Sequence, residues 1–429
     1  MGQNRGNSGN GNGLLESAKM LHARIPRRWS WVLRPLEFCY GIYDALRPRF
    51  WVVQARTGGP GTPVTILCSA RGRERNYLLG QLFGGACRET YIGRAWVWNT
   101  ARILAGKGRG CCLAVVTTRD RYRRLLGPGR WLYVPSWVVG ELDIPLGPDV
   151  LRSETVRSDL RRMRRSGLTF EVTRDLPPLD DFYHHMYMPY IDQAHGASAV
   201  VMSYEAMKAR FPDCELLLVK KQGRAIAGGL ILHARTGTRL WCVGVREASA
   251  QFVADGAVSA VYHFAGQYLQ SKGLHRLGLG LSRAFLHDGA LRYKKKLGMR
   301  LVDASHEYFA FHVPQDTPAA RTVLRNTPWI FEENGSLYGA VFVENGQTPL
   351  TEQDFRRLRR EFFLEGLAQV LVVPLDAEVS APATPPDELA GCVAVGVAAR
   401  LLGTGPRSHP DCSPTSPAGR LPAHRALPS

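Results

Sequence analysis

No stretch of about 18 consecutive apolar residues occurs in this 429-residue sequence, which argues against a membrane-spanning helix. The nearest approach, residues 389–402, is rich in small side chains and interrupted by Arg400. The nine cysteines (Cys39, Cys68, Cys87, Cys111, Cys112, Cys214, Cys242, Cys392 and Cys412) form no CxxC pair and no metal-ligand spacing. An odd count at irregular positions reads as reduced thiols in a cytoplasmic protein, with Cys112, Cys214 and Cys242 as buried fillers beside apolar runs. A phosphate loop and a nucleophile elbow are also missing. The first thirteen residues hold no apolar core, so no secretory signal is expected. Gly6 stands where a myristoylation motif wants Ser or Thr. Acid is scarce: 37 Asp and Glu face 55 Lys and Arg, for a formal charge of +18 and a pI near 9.8. That excess points to acidic partners, whether phosphorylated small molecules, anionic glycans, a membrane surface or nucleic acid.

What remains is ordinary globular composition, 45% hydrophobic and 21% charged, in a chain long enough for two domains and a tail. Residues 1–28 form a disordered lead. Residues 29–150 alternate strand-like and helix-like pieces as a small α/β unit: strands over 64–68 and 113–117, helices over 74–83 and 119–126, and an extended segment over 131–139. The second unit, 151–375, is clearer. Ser153 caps a helix with Glu154 in its first turn and Arg161, Arg162, Arg164 and Arg165 in its last, the polarity that the helix dipole favours. A strand over 168–172, a helix over 179–194 rich in Tyr and His, and a hairpin turning at Gln222, Gly223 and Arg224 follow. A third strand (239–245), a long helix (255–272) and further strands complete it. Antiparallel strands that then accept a helical crossover predict an α/β (α+β) fold, a mixed sheet with helices on both faces. A charged helix over 354–367 closes the unit. From residue 376 Pro, Ala, Ser and Gly dominate, and a disordered tail is expected to 429.

Residues 274–298 carry the strongest chemical signal. A short strand ends in a glycine-punctuated turn with Ser282 and Arg283, a helix starts at Asp288 and Gly289, and Tyr293, Lys294, Lys295, Lys296, Leu297 and Gly298 follow. Ligands of α/β sheets gather outside such strand ends. The arginine-rich helix, the Phe182–Tyr183 helix, the hairpin, the long helix closing at Lys272 and Gly273, and this aromatic–basic–glycine signature occur in one order. In that order the second unit resembles the GNAT-like acyltransferase domain of the FemAB and cellulose-biosynthesis acetyltransferase group. The resemblance covers somewhat under half of the chain. It implies that residues 29–150 are a degenerate GNAT-like copy, giving two such units in tandem.

The resemblance also implies an N-acyltransferase that moves an acyl group, with acyl-CoA (acetyl-CoA) as co-substrate and no metal, to an amine of a polar cell-envelope or polysaccharide precursor. The FemAB branch implies an aminoacyl-tRNA donor instead. A third reading is a non-catalytic basic module on a decayed transferase fold. Lys294, Ser282 and Tyr293 are the candidate catalytic residues, with a solvated helix face and a polar turn as the plainer readings of Lys294 and Ser282. Gln251, Gly256 and Ala257 are the candidate cofactor-binding residues, although they depart from the pyrophosphate-loop spacing of acetyl-CoA enzymes and Asp255 lies among them. Arg283, Tyr187 and Tyr190 are the candidate substrate-binding residues, the tyrosines also having the spacing of core packing. Glu215, His233 and Asp288 are the candidates for a general base. The cluster Arg157, Arg161, Arg162, Arg164 and Arg165 suits a nucleic-acid backbone or, more simply, a solvated helix end.

Overall fold

In the computed structural model, residues 39, 41–57, 61–127, 129–196, 201–344, 350–376 and 384–402 are described. The expected lead over 1–28 and the last part of the tail lie outside them. The described chain builds two mixed sheets with helices packed on them. The first sheet has ten strands and begins with β1 (Arg49–Thr57), β2 (Thr62–Cys68), β3 (Arg88–Arg94), β4 (Leu113–Arg119) and β5 (Leu132–Pro135). Helix α1 (Gly72–Phe83) follows β2 and buries Leu78, Leu79, Leu82 and Phe83; α2 (Thr100–Ala105) leads into β4. The extended segment expected over 131–139 is two strands, because the chain leaves the first sheet after Pro135. Its continuation, β6 (Val138–Asp143), joins the second sheet.

The second sheet comprises β6 to β12. Helix α3 (Glu154–Arg165) precedes β7 (Leu168–Thr173). Ser153 stands at the N-cap position, but its hydroxyl meets Thr155 Oγ1 at 3.0 Å and accepts no backbone amide. The helix expected over 179–194 is α4 (Leu176–Phe182), a π-turn over Tyr183–Tyr187, and α5 (Met188–His195). A meander follows, of β8 (Cys214–Lys221), β9 (Arg224–Ala234) and β10 (Gly237–Val245). A short helix, α6 (Ala250–Ala254), leads into α7 (Ala257–Ser271), then β11 (Arg276–Ser282), α8 (Gly289–Lys296) and β12 (Arg300–Ala304). Small side chains on α7 (Ala257, Ala260, Ala265) bring it onto the sheet, where a Cβ at Gly229 would come 2.7 Å from Val261 Cγ1. Helices α3 and α7 share the main core. Leu179, Phe182, Tyr183, Met186 and Tyr187 form a second core with the meander.

Strand β13 (Glu307–His312) returns to the first sheet, followed by α9 (Pro318–Asn326), β14 (Trp329–Glu333), β15 (Ser336–Val343), α10 (Glu352–Phe362) and β16 (Val370–Pro374). The two sheets are therefore interleaved in sequence: β6 joins the second, and β13 with the strands after it joins the first. β6 lies between β11 and β12 in the second sheet, and β13 lies between β4 and β5 in the first. Parallel pairs joined through helices include β2 with β4, β10 with β11 and β15 with β16. A division at residue 150 thus takes β6 from the second sheet, and β13 with the strands after it from the first. The expected tail also keeps structure: α11 (Asp387–Ala390) precedes β17 (Val393–Val395), whose β-branched residues pair in parallel with β16 and cover that sheet edge. The eight described cysteines are free, with Cys112, Cys214 and Cys242 buried. No helix among the described residues is long and apolar enough to cross a membrane.

Candidate active site

Strands β10 and β11 are paired in register at one point, Arg239 with Gly278. Beyond it the register of β11 against β6 shifts between Gly278 and Leu281, the signature of a bulge. Gly280 takes φ +65° there, and a Cβ would sit 3.3 Å from the Leu240 carbonyl oxygen. Only glycine meets both demands without strain. The parallel pairing of β10 and β11 thus has one register position followed by a bulge, and Ser282 and Arg283 follow the bulge.

Helix α8 reads the sequence spacing literally: successive residues, about 100° apart, go to different places. Asp288 caps it by accepting from Leu291 N at 3.0 Å, and takes a second hydrogen bond from the Tyr77 hydroxyl at 3.0 Å. Lys294 points inward and donates to the Leu281 carbonyl at 2.8 Å and to Ser282 Oγ at 2.9 Å. It is 6% exposed and Ser282 2% exposed, so neither side chain lies open to solvent. Burial pushes the Lys294 ammonium down to about 8, against the pull of Asp288. Lys295 leaves the other way and donates to the Arg360 and Glu361 carbonyls at 2.9 and 2.6 Å. Lys296 pairs with Asp159 of α3.

Arg283 follows Ser282 in sequence and occupies the same junction. Its guanidinium lies between two rings, 4.4 Å from Tyr77 and 3.6 Å from Trp137, and donates to the Ser136 carbonyl at 3.3 Å. It is 4% exposed and makes no ion pair among the described residues. Burial lowers its pKa, with Glu74, Tyr77 and Asp288 opposing. Three of its neighbours, Tyr77, Ser136 and Trp137, belong to the first unit. Nothing in their local spacing marks them, since Tyr77 and Asp288 stand 211 positions apart.

Tyr293 departs from Lys294 and Ser282. Its hydroxyl donates to Ser259 Oγ at 2.9 Å, and Ser259 in turn donates to Asp159 Oδ2 at 2.9 Å. Burial opposes the charge of Asp159, but hydrogen bonds from Lys296, Ser259 and Arg162 outweigh it and hold the carboxyl below its usual range. A carboxylate three residues from both Val156 and Arg162, on the buried side of a basic helix, was the readable sign of this cluster. The Tyr262 ring lies 5.4 Å from Tyr293, and the Tyr190 hydroxyl is within electrostatic range of both. An apolar cavity of about 170 Å³ adjoins, walled by Leu160, Met163, Tyr262, Leu277 and Leu297, with Asp159 in its lining. Tyr187 lies apart from this group, 5% exposed in the second core and pushed up to about 12 by burial.

The stretch after β10 is filled. Helix α6 occupies it, and the Asp255 and Gly256 amides donate to the Gln251 and Val253 carbonyls at 2.9 and 3.0 Å. The Gln251 side chain donates to Asp255 at 3.1 Å, and Asp255 pairs with Lys221 at 2.7 Å. Gly256 takes φ +93° against Met163, whose Cγ would be 3.2 Å from an added Cβ, and Ala257 is fully buried. Glu215 and His233 meet at 2.9 Å, with Arg174 on the other carboxylate oxygen at 2.9 Å and Thr238 Oγ1 on the other ring nitrogen at 3.1 Å. Both imidazole nitrogens are occupied in that network.

No protein-family model matches the chain, and no curated protein matches it. Solved structures resemble it in part. The C-terminal domain (DUF2156) of a putative lysylphosphatidylglycerol synthetase from Agrobacterium fabrum aligns over 64% of this chain and 84% of its own, at 14% identity and a TM-score of 0.31. L-PGS from Bacillus licheniformis aligns over 65% and 85%, at 12% identity and a TM-score of 0.31. FemX aligns over 59% and 82%, at 13% identity and a TM-score of 0.33. Scores of this size fix neither family nor function.

Proposed function

We propose that the chain is an acyltransferase that moves an acyl group from an activated ester or thioester to an amine of a polar, anionic acceptor, such as an envelope or polysaccharide precursor. The observation that carries this reading is the single register contact between β10 and β11, with a glycine bulge and a buried polar cluster at the strand end. A planar donor carbonyl presented at the bulged strand end meets backbone donors there, and the amine attacks that carbonyl. The amine forms the amide bond, the ester or thiol oxygen or sulfur leaves, and a base removes one proton from nitrogen. Lys294 holds the Leu281–Ser282 strand end in place from behind. Ser282 is the hydroxyl at the strand end and Arg283 supplies positive charge for the acceptor, while Tyr293 and Tyr190 stand with the neighbouring Ser259–Asp159 cluster.

The filled segment after β10 favours a second reading of the donor. Acyl-CoA bound through Gln251, Gly256 and Ala257 needs open amides for its pyrophosphate. An aminoacyl ester of tRNA does not. The test is a thermal-shift screen of the purified chain against a panel of acyl-CoAs and against an aminoacyl-tRNA, followed by transfer assays with the stabilising donor. The proposal expects one donor class to raise the melting temperature. It also expects Lys294→Ala to lower transfer about tenfold or more while the variant stays folded, as about 1.4 kcal/mol of lost positioning would do. A chain stabilised by neither donor and without turnover sinks it.

A further inference from the structure

Helix α10 is two-sided. Phe355, Leu358 and Phe362 are buried in the main core. On the outer side Arg356, Arg359 and Arg360, three and four residues apart, share a face. With Gln353, Phe363 and residues of α11 they line a groove of about 570 Å³. Arg356 pairs with Glu352 at 2.5 Å. Arg359 and Arg360 have no ion pair among the described residues, and Glu388 across the groove forms none with them. Lys295 fastens the end of this helix to α8 by its hydrogen bonds to the Arg360 and Glu361 carbonyls. Three like charges are thus crowded on a fixed backbone, Arg356 neutralised by Glu352 and the other two without an ion pair among the described residues, facing a groove whose one acidic lining residue among them is Glu388.

We propose that this groove binds a phosphate-bearing small molecule of nucleotide size. Guanidinium groups take phosphate oxygens two at a time, with a geometry that lysine does not offer. Arg359 and Arg360, with Arg356 beside them, suit a diphosphate better than a single carboxylate. Phe363 adds an aromatic wall at the groove, which suits a ring attached to that diphosphate. The volume lies within the range of sites that enclose such ligands. The site is separate from Ser282, Arg283 and Lys294, so it stands whether or not the chain transfers acyl groups.

Isothermal titration of the full chain with inorganic pyrophosphate and with uridine diphosphate at about 50 mM salt tests it. The expected result is binding of both, uridine diphosphate the tighter. Arg359→Gln/Arg360→Gln weakens both at least tenfold, Phe363→Ala removes the advantage of the nucleotide, and neither variant alters the melting temperature of the free chain by more than a few degrees. The control Arg152→Gln/Arg161→Gln, on exposed arginines elsewhere, leaves affinity unchanged. No binding overturns the proposal, as does equal weakening by the control, undiminished affinity in Arg359→Gln/Arg360→Gln, or pyrophosphate binding as tightly as the nucleotide.

Discussion

Lys294 is a charged group in a place that disfavours charge. Its ammonium is buried and holds a carbonyl and a hydroxyl, with Asp288 near enough to help without forming an ion pair. The folded-state pKa of about 8 lies below the ordinary 10.5 of a free lysine. Below about pH 8 both folded and unfolded chains carry the proton, and the folded state bears the full penalty of the buried charge. Between about pH 8 and 10.5 the folded lysine has lost its proton and the unfolded one has not, so the unfolded state binds more protons and stability rises with pH. Lys294→Met lacks the penalty at every pH, and the donors it removes from Leu281 and Ser282 are a constant loss. Urea unfolding of both chains from pH 7 to 10 is therefore expected to show the wild type gaining about 2.5 kcal/mol relative to the variant. Other titrating groups cancel in that difference. Parallel curves would mean that the ammonium is solvated in solution.

At the scale of single elements, α8 is held from both ends. Lys295 binds the carbonyl end of α10, and Asp288 caps the first turn while receiving the Tyr77 hydroxyl. Asp288→Ala is expected to cost about 1–2 kcal/mol as a lost N-cap. Tyr77→Phe is expected to cost about 1.5 kcal/mol as a lost hydrogen bond to a carboxylate, since the ring stays under Arg283. Combined, the two changes should cost about 1 kcal/mol less than their sum, because the hydroxyl acts through the carboxylate. Additive losses in a double-mutant cycle would separate them. The start of this helix at Asp288 and the divergence of its three lysines were legible, because capping and a 100° rotation are local properties of a chain. The partners were not. Tyr77, Ser136 and Trp137 reach Arg283 through tertiary packing, and no local period registers a contact across more than a hundred residues. The filled turn after β10 was half legible: Asp255 and the misplaced Gln251 announced a departure, but not that a helical turn takes the space.

At the scale of the whole molecule, alternating elements gave the mixed α/β class and the suspicion of two related units, while the boundary between them stayed hidden. Residues 131–139 read as one extended segment because both of its strands are apolar. The step from one sheet to the other occurs at Ser136 and Trp137, where pairing changes partner without a change in composition. Interleaving has a mechanical consequence. The second sheet holds β6 and the first holds β13 with the strands after it; β6 and β13 are hydrogen-bonded on both sides, and removing either would expose two rows of backbone donors and acceptors in a core. The two sheets are therefore expected to unfold together, in one transition seen alike by circular dichroism and tryptophan fluorescence. A covalent break tests this more sharply. Gly147 is exposed in the connection after β6, so a protease site inserted there can be cut in the native state. Cutting leaves β6 with the amino-terminal fragment and β13 to β17 with the other, and neither fragment can close its own sheet. The nicked chain should elute from gel filtration as one species of unchanged size and come apart only in denaturant. Fragments that separate under native conditions and keep their secondary structure would show that the sheets are not interleaved in solution.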